Sequence, residues 1–125
     1  MKKIINTPNA AQPVGPYNQA VKVNNTLYVS GQIPLDPVSG ELVKGDVQAQ
    51  TRMVMENMRA ILEAAGMDFS HVVKCSIFIT DMKDFPKINE VYAGYFKQDP
   101  PARETVQVGA LPKFVDVEVS CIAVN

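Results

Sequence analysis

A chain of 125 residues, 46% of them hydrophobic, has the size of one domain (1–125) and enough apolar side chain to close a core without disulfides or metal. Its formal net charge of −1 carries no electrostatic footprint of a nucleic-acid or anionic-lipid binder, so small molecules are the expected partners. The opening "MKKIINTPN" has no apolar run behind its lysines, and no stretch approaches the length of a membrane span, so a cytoplasmic protein is expected.

The first predicted elements are the strands "QAVKV" (19–23) and "TLYVSGQI" (26–33), joined at Asn24 and Asn25 and followed by the turn residues of "DPVSGE". A helix follows between Asp46, a good N-cap, and Gly66, a good stop. Val47, Val54, Met58, Ile61, Leu62 and Ala65 recur on its apolar side, with Gln48, Arg52, Glu56, Arg59 and Glu63 opposite. "HVVKCSIFIT" (71–80) alternates as a half-buried strand. A second helix starts near Asp84, accepts Pro86 in its first turn and carries Phe85, Ile88, Tyr92, Tyr95 and Phe96 as its inner stripe. Two strands, "ETVQV" (104–108) and "DVEVSCIAV" (116–124), finish the chain.

This order predicts an α+β fold, one mixed sheet with both helices on one face. Sorting strand residues by parity places Val21, Val23, Leu27, Val29, Val73, Cys75, Ile77, Val106, Val108, Val117, Val119 and Cys121 toward the helices. Tyr28, Ser30, Gln32, Ser76, Phe78, Thr105, Gln107, Glu118 and Ser120 then form a half-polar face that no remaining helix can cover. Association of identical subunits is the simplest cover for such a face, with a solvated sheet as the alternative.

Most catalytic signatures are missing. His71 is the only histidine and reads as a loop or cap residue, and there is no Gly-rich phosphate loop, G-x-S-x-G or metal-spaced cluster. Cys75 and Cys121 sit in separate apolar strands and read as buried, reduced thiols. What remains is Arg103 at the head of one late strand and Glu118 among the valines of the other, placed by parity on the same helix-free face. An arginine there can clasp a carboxylate ligand with both arms of its guanidinium, but parity alone favours a plain Arg–Glu ion pair or two unrelated surface charges.

The blocks "GPYNQAV" (15–21), "SGQIPLDPVSGE" (30–41), "VKCSIFITDMKDFPKINEVYAGYF" (73–96), "PPARETVQV" (100–108) and "LPKFVDVEVSCIAV" (111–124) resemble, essentially end to end, the successive signatures of the RidA (YjgF) family of reactive intermediate deaminases. The resemblance implies a chorismate-mutase-like subunit in a homotrimer, with ligand clefts at the subunit interfaces. It also implies hydrolysis of enamines and imines such as 2-aminoacrylate and 2-aminocrotonate, released by pyridoxal-phosphate-dependent serine and threonine dehydratases, to 2-keto acids and ammonia without a cofactor. Carried over by position, Arg103 would bind the substrate carboxylate, Glu118 would orient or deprotonate water, and Tyr17, Ser30, Gly31 and Asn89 would line the cleft. Each of these four also has an ordinary packing or surface reading.

One position departs from the pattern: better-known members carry cysteine two residues after the arginine, and this chain has Thr105. A thiol nucleophile is therefore excluded there, leaving either a role through backbone polarity or a subgroup with altered rate or preference. Two other functions fit a family of this kind, a 2-keto-acid-binding regulator without turnover and an endoribonuclease or translation inhibitor. The slightly acidic composition argues against the second.

Overall fold

The computed structural model describes residues 1–125. Six strands, β1 (Lys2–Ile5), β2 (Ala20–Val23), β3 (Thr26–Gln32), β4 (Val72–Ile79), β5 (Ala102–Gln107) and β6 (Val117–Val124), form one sheet in the order β1-β2-β3-β6-β4-β5. All neighbours are antiparallel except β4 and β5. These two are parallel because a helix, α2 (Phe85–Ala93), carries the chain back between them. The other helix, α1 (Val47–Ala64), packs against α2, β3 and β6 on the same face. The expected α+β architecture, a mixed sheet with two helices on one side, is the one observed. No helix is long and apolar enough to cross a membrane.

Local chemistry sets the helix ends. The Asp46 carboxylate accepts the Gln48 N–H at 2.9 Å, and beyond the end of α1 Gly66 takes φ +73°, a conformation costly for any residue with a side chain. Val54, Met55, Met58, Ile61 and Leu62 of α1 and Ile88 and Tyr92 of α2 meet Leu27, Val29, Cys75, Ile77, Val117, Val119 and Cys121 of the sheet in a core of 23 buried residues. Phe85, Tyr95 and Phe96 pack at its edge, the last two just past the end of α2.

The strand faces differ from simple parity in four places, each with a physical reason. A β-bulge sets Ser30 and Gly31 against one residue of β6, since Val29 pairs with Cys121 and Gln32 with Val119; Gln32 therefore turns to the helix side and is buried. A second irregularity in β4 buries Val72 and leaves Val73 47% exposed, the reverse of expectation. Val21 and Val23 pair with Tyr28 and Thr26 and so lie on the helix-free face. In β5, Arg103, Thr105 and Gln107 pair with Cys75, Ile77 and Ile79 on the helix side, while Val106 pairs with Phe78 on the other. Valine suits any pleated strand and marks the buried face only where the strand is packed into the core; β5 is an edge strand on which Val106 stays 40% exposed. The segment Lys2–Ile5, not foreseen as a strand, completes the opposite edge by pairing with β2.

Candidate functional site

A concavity of about 360 Å³ opens where the chain leaves β3 and enters β6, and Tyr17, Ser30, Gly31, Lys113 and Glu118 line its polar side. Its wall is a loop held by two buried amides. Gln19, 1% exposed, accepts the Thr7 N–H at 2.7 Å through Oε1 and donates through Nε2 to the carbonyls of Thr7 and Ala11 at 3.1 and 2.8 Å. Asn57, on the inner side of α1, accepts the Ala11 N–H at 3.3 Å and donates to the carbonyls of Ile33 and Leu35 at 3.3 and 2.9 Å. These two side chains satisfy the backbone of a non-repetitive wall that neither sheet nor helix bonding reaches. Neither was foreseen, although a polar residue at position 57, between Val54 and Met58, is a readable break in the apolar stripe.

Within the cavity, Glu118 projects from β6 on the helix-free face, half-buried and without a hydrogen bond or ion pair. Burial pushes its carboxyl above the usual carboxylate range. Across from it lies Gly31, at the bulge. A Cβ added at Gly31 would collide with the Glu118 carboxylate, reaching 2.7 Å from Cδ, so glycine is what lets this carboxylate occupy its place. Ser30 fixes the bulge, its Oγ donating to the Asn18 carbonyl at 2.6 Å and its N–H to the Gln19 carbonyl at 2.9 Å. Tyr17 is half-exposed at the rim, following Gly15 at φ +136°. Ser30 and Gly31 thus do belong to a tight strand position, and that position shapes the cavity.

Arg103 stands elsewhere. From the helix side of the β5 edge its Nη1 donates to Asn89 Oδ1 at 2.6 Å, and its guanidinium carbon lies 5.0 Å from the Tyr92 ring centre and 5.4 Å from that of Phe85. A shallower pocket of about 310 Å³ collects Asn89, Tyr92, Phe96, Pro100 and Arg103. Thr105, on the same side of β5, keeps its Oγ1 buried without a partner. The shared helix-free face expected for Arg103 and Glu118 is therefore incorrect, and so is the plain ion pair between them. Within the chain the structure brings Tyr17, Ser30, Gly31 and Glu118 together, brings Arg103, Asn89 and Thr105 together, and separates the two groups by the sheet.

The single histidine and the two cysteines sit in structural positions. His71 Nδ1 accepts the Asp68 N–H at 3.0 Å, completing a capping box as the cap reading expected. Cys75 and Cys121 face each other across β4 and β6, free and buried, and burial pushes both thiols up.

Residues 7–125 match the family model described as Endoribonuclease L-PSP, and the chain belongs to that family, the RidA (YjgF) proteins. A RutC family protein of Pyrococcus horikoshii is 54% identical over 123 residues, covering 98% of each chain. The human 2-iminobutanoate/2-iminopropanoate deaminase is 45% identical over 125 residues, 100% of this chain and 91% of the relative. Among solved structures, a Rid-family protein of Yersinia pestis superposes with a TM-score of 0.98 at 46% identity over 100% of both chains. Escherichia coli TdcF with bound serine gives 0.94 at 44% identity over 98% of both.

Proposed function

We propose that the protein hydrolyses 2-imino acids and their enamine tautomers, such as 2-aminoacrylate and 2-aminocrotonate, to 2-keto acids and ammonia. The observation that carries this reading is Glu118, an unpaired carboxylate, half-buried against the one strand position that has no side chain. The names of the mammalian relatives and the serine in the TdcF structure agree with small amino-acid-derived ligands. Pyridoxal-phosphate-dependent serine and threonine dehydratases release imines of this kind and are the proposed source.

Because the sheet separates Arg103 from Glu118, the working site is proposed to form between copies of the chain in a homotrimer, the Glu118 cavity of one subunit meeting Arg103, Asn89 and Thr105 of its neighbour. The Arg103 fork clasps the substrate carboxylate. Tyr17 and the Ser30–Gly31 bulge line the opposite side. Glu118 takes a proton from water as the oxygen adds to the imine carbon and returns it to the nitrogen; the tetrahedral adduct then passes its hydroxyl proton, through the same carboxylate, to the nitrogen as the C–N bond breaks, leaving the keto group and ammonia. The reaction consumes only water, and imines hydrolyse without strong catalysts, so positioning plus one proton acceptor is enough chemistry.

Thr105 has no base beside its hydroxyl within its own chain, where Oγ1 is buried without a partner, and it is assigned no covalent step. A nuclease reading, suggested by the description of the family model, finds little support in the residues: Lys113 is the one cation lining the cavity, and the single histidine is committed to a cap. The test is to generate 2-aminoacrylate with a serine dehydratase and follow pyruvate release with and without the protein. Acceleration supports the deaminase. Binding of pyruvate without acceleration means a keto-acid-binding protein, and salt-dependent RNA cleavage means a nuclease.

A further inference from the structure

Three residues of α2, Phe85, Asn89 and Tyr92, are spaced so that their side chains share one stripe of the helix, and all three converge on the Arg103 guanidinium. The division of contacts is specific. Asn89 takes one N–H of Nη1 at 2.6 Å, while Nε and Nη2 form no hydrogen bond and Arg103 has no ion-pair partner. The two rings stand 5.0 and 5.4 Å from the guanidinium carbon, within the range at which an aromatic face attracts a cation. A guanidinium presents five donors in a fixed plane, so a side chain held in this way still offers the Nε–Nη2 edge, which matches the two oxygens of a carboxylate.

An exposed arginine on an edge strand would ordinarily sample many rotamers, and fixing one on binding weakens affinity. We propose that Phe85 and Tyr92 are positioning residues that hold Arg103 in its carboxylate-receiving rotamer before the ligand arrives, with Asn89 setting the rotation of the plane. The inference rests on the proposed role of Arg103 as the carboxylate ligand. It assigns to two aromatic residues of the predicted inner stripe a second duty beyond core packing. Tyr92 acts through its ring: its hydroxyl, turned toward the Cys75 thiol, is buried and has no hydrogen-bond partner of sound geometry.

The informative substitution is Phe85→Leu, at a half-buried position where leucine keeps apolar bulk and removes the aromatic face. Pyruvate affinity by isothermal titration, and KM with kcat on dehydratase-generated 2-aminoacrylate, are measured for Phe85→Leu, Tyr92→Phe, Arg103→Ala and the Phe85→Leu/Arg103→Ala double variant. We expect Phe85→Leu to raise both Kd and KM roughly three- to tenfold, the effect of losing one cation–aromatic contact, with kcat nearly unchanged. Tyr92→Phe, which keeps the ring, should bind as wild type. In the Arg103→Ala background, Phe85→Leu should produce no further loss of affinity, an outcome a merely structural role would not give. Wild-type affinity in Phe85→Leu beside lost affinity in Arg103→Ala overturns the positioning role alone, as does an additive loss in the double variant. Undiminished affinity in Arg103→Ala overturns the assignment of Arg103 itself.

Discussion

The Glu118 cavity and the Arg103 platform are built in opposite ways. The cavity is assembled from distant parts of the chain: a wall at residues 7–13 held by Gln19 and Asn57, a bulge in β3 and a carboxylate from β6. The platform is local, since one face of a nine-residue helix meets the edge strand that immediately follows it. A group that must be desolvated is enclosed by satisfied backbone, whereas one that must keep its charge and present its donors stays at an exposed edge. The two regions should therefore fail differently when altered.

The largest effect is expected at Glu118. Glu118→Gln preserves shape but cannot accept a proton, so turnover should fall by roughly 10²- to 10⁴-fold, while pyruvate affinity by titration calorimetry stays close to wild type. Gly31→Ala should approach the same loss by forcing the carboxylate aside, with the fold retained because the clash is with the end of a flexible side chain. Turnover near wild type in either variant would remove Glu118 from the chemistry.

The same burial makes a prediction about pH. A carboxyl whose folded pKa is raised destabilises the folded state once ionised, so its contribution becomes unfavourable as pH rises from the ordinary value of about 4.3 through the raised one. Thermal melts of Glu118→Gln and wild type should therefore diverge in favour of the variant as pH increases across that window. The acid limb of wild-type kcat/KM should fall above the ordinary carboxylate range. Melting curves that keep a constant separation across these pH values would mean that Glu118 is not perturbed.

At the platform the expected losses are in binding. Arg103→Lys keeps the charge and loses the fork, which should weaken pyruvate binding by about 1.5–3 kcal/mol, roughly 10- to 150-fold. The smallest effect is expected for Thr105→Val. Its hydroxyl is buried and unpartnered, so activity should remain substantial and the melting temperature should hold or rise slightly. A collapse in activity as complete as that of Arg103→Ala would assign that hydroxyl an essential role.

The local half of this picture was legible in the sequence. Asp46 and Gly66 bracket α1, Pro86 and the apolar stripe define α2, and the element order dictates one sheet with helices on one side. Elimination of other chemistry led to Arg103 and Glu118, and the family blocks added Tyr17, Ser30, Gly31 and Asn89. What alternation could not reveal is which way each strand faces. The two-residue bulge at Ser30 and Gly31 reverses Gln32, the irregularity at Val73 reverses the start of β4, and β5 is an edge strand whose one valine, Val106, does not mark the core. The facing of β5 alone is what puts Arg103 and Thr105 across the sheet from Glu118. The buried amides Gln19 and Asn57 escaped notice because their partners are backbone groups of a loop far away in the chain.

The most direct test of a site shared between subunits is complementation. Arg103→Ala and Glu118→Gln, each expected to be nearly inactive alone, are unfolded together in equal amounts and refolded, and pyruvate release from 2-aminoacrylate is measured. If the two groups act across an interface, about one interface in four of a randomly mixed trimer carries both intact residues, and roughly a quarter of wild-type activity should return. Activity no greater than the mean of the two separate variants would mean that Arg103 and Glu118 do not meet across an interface.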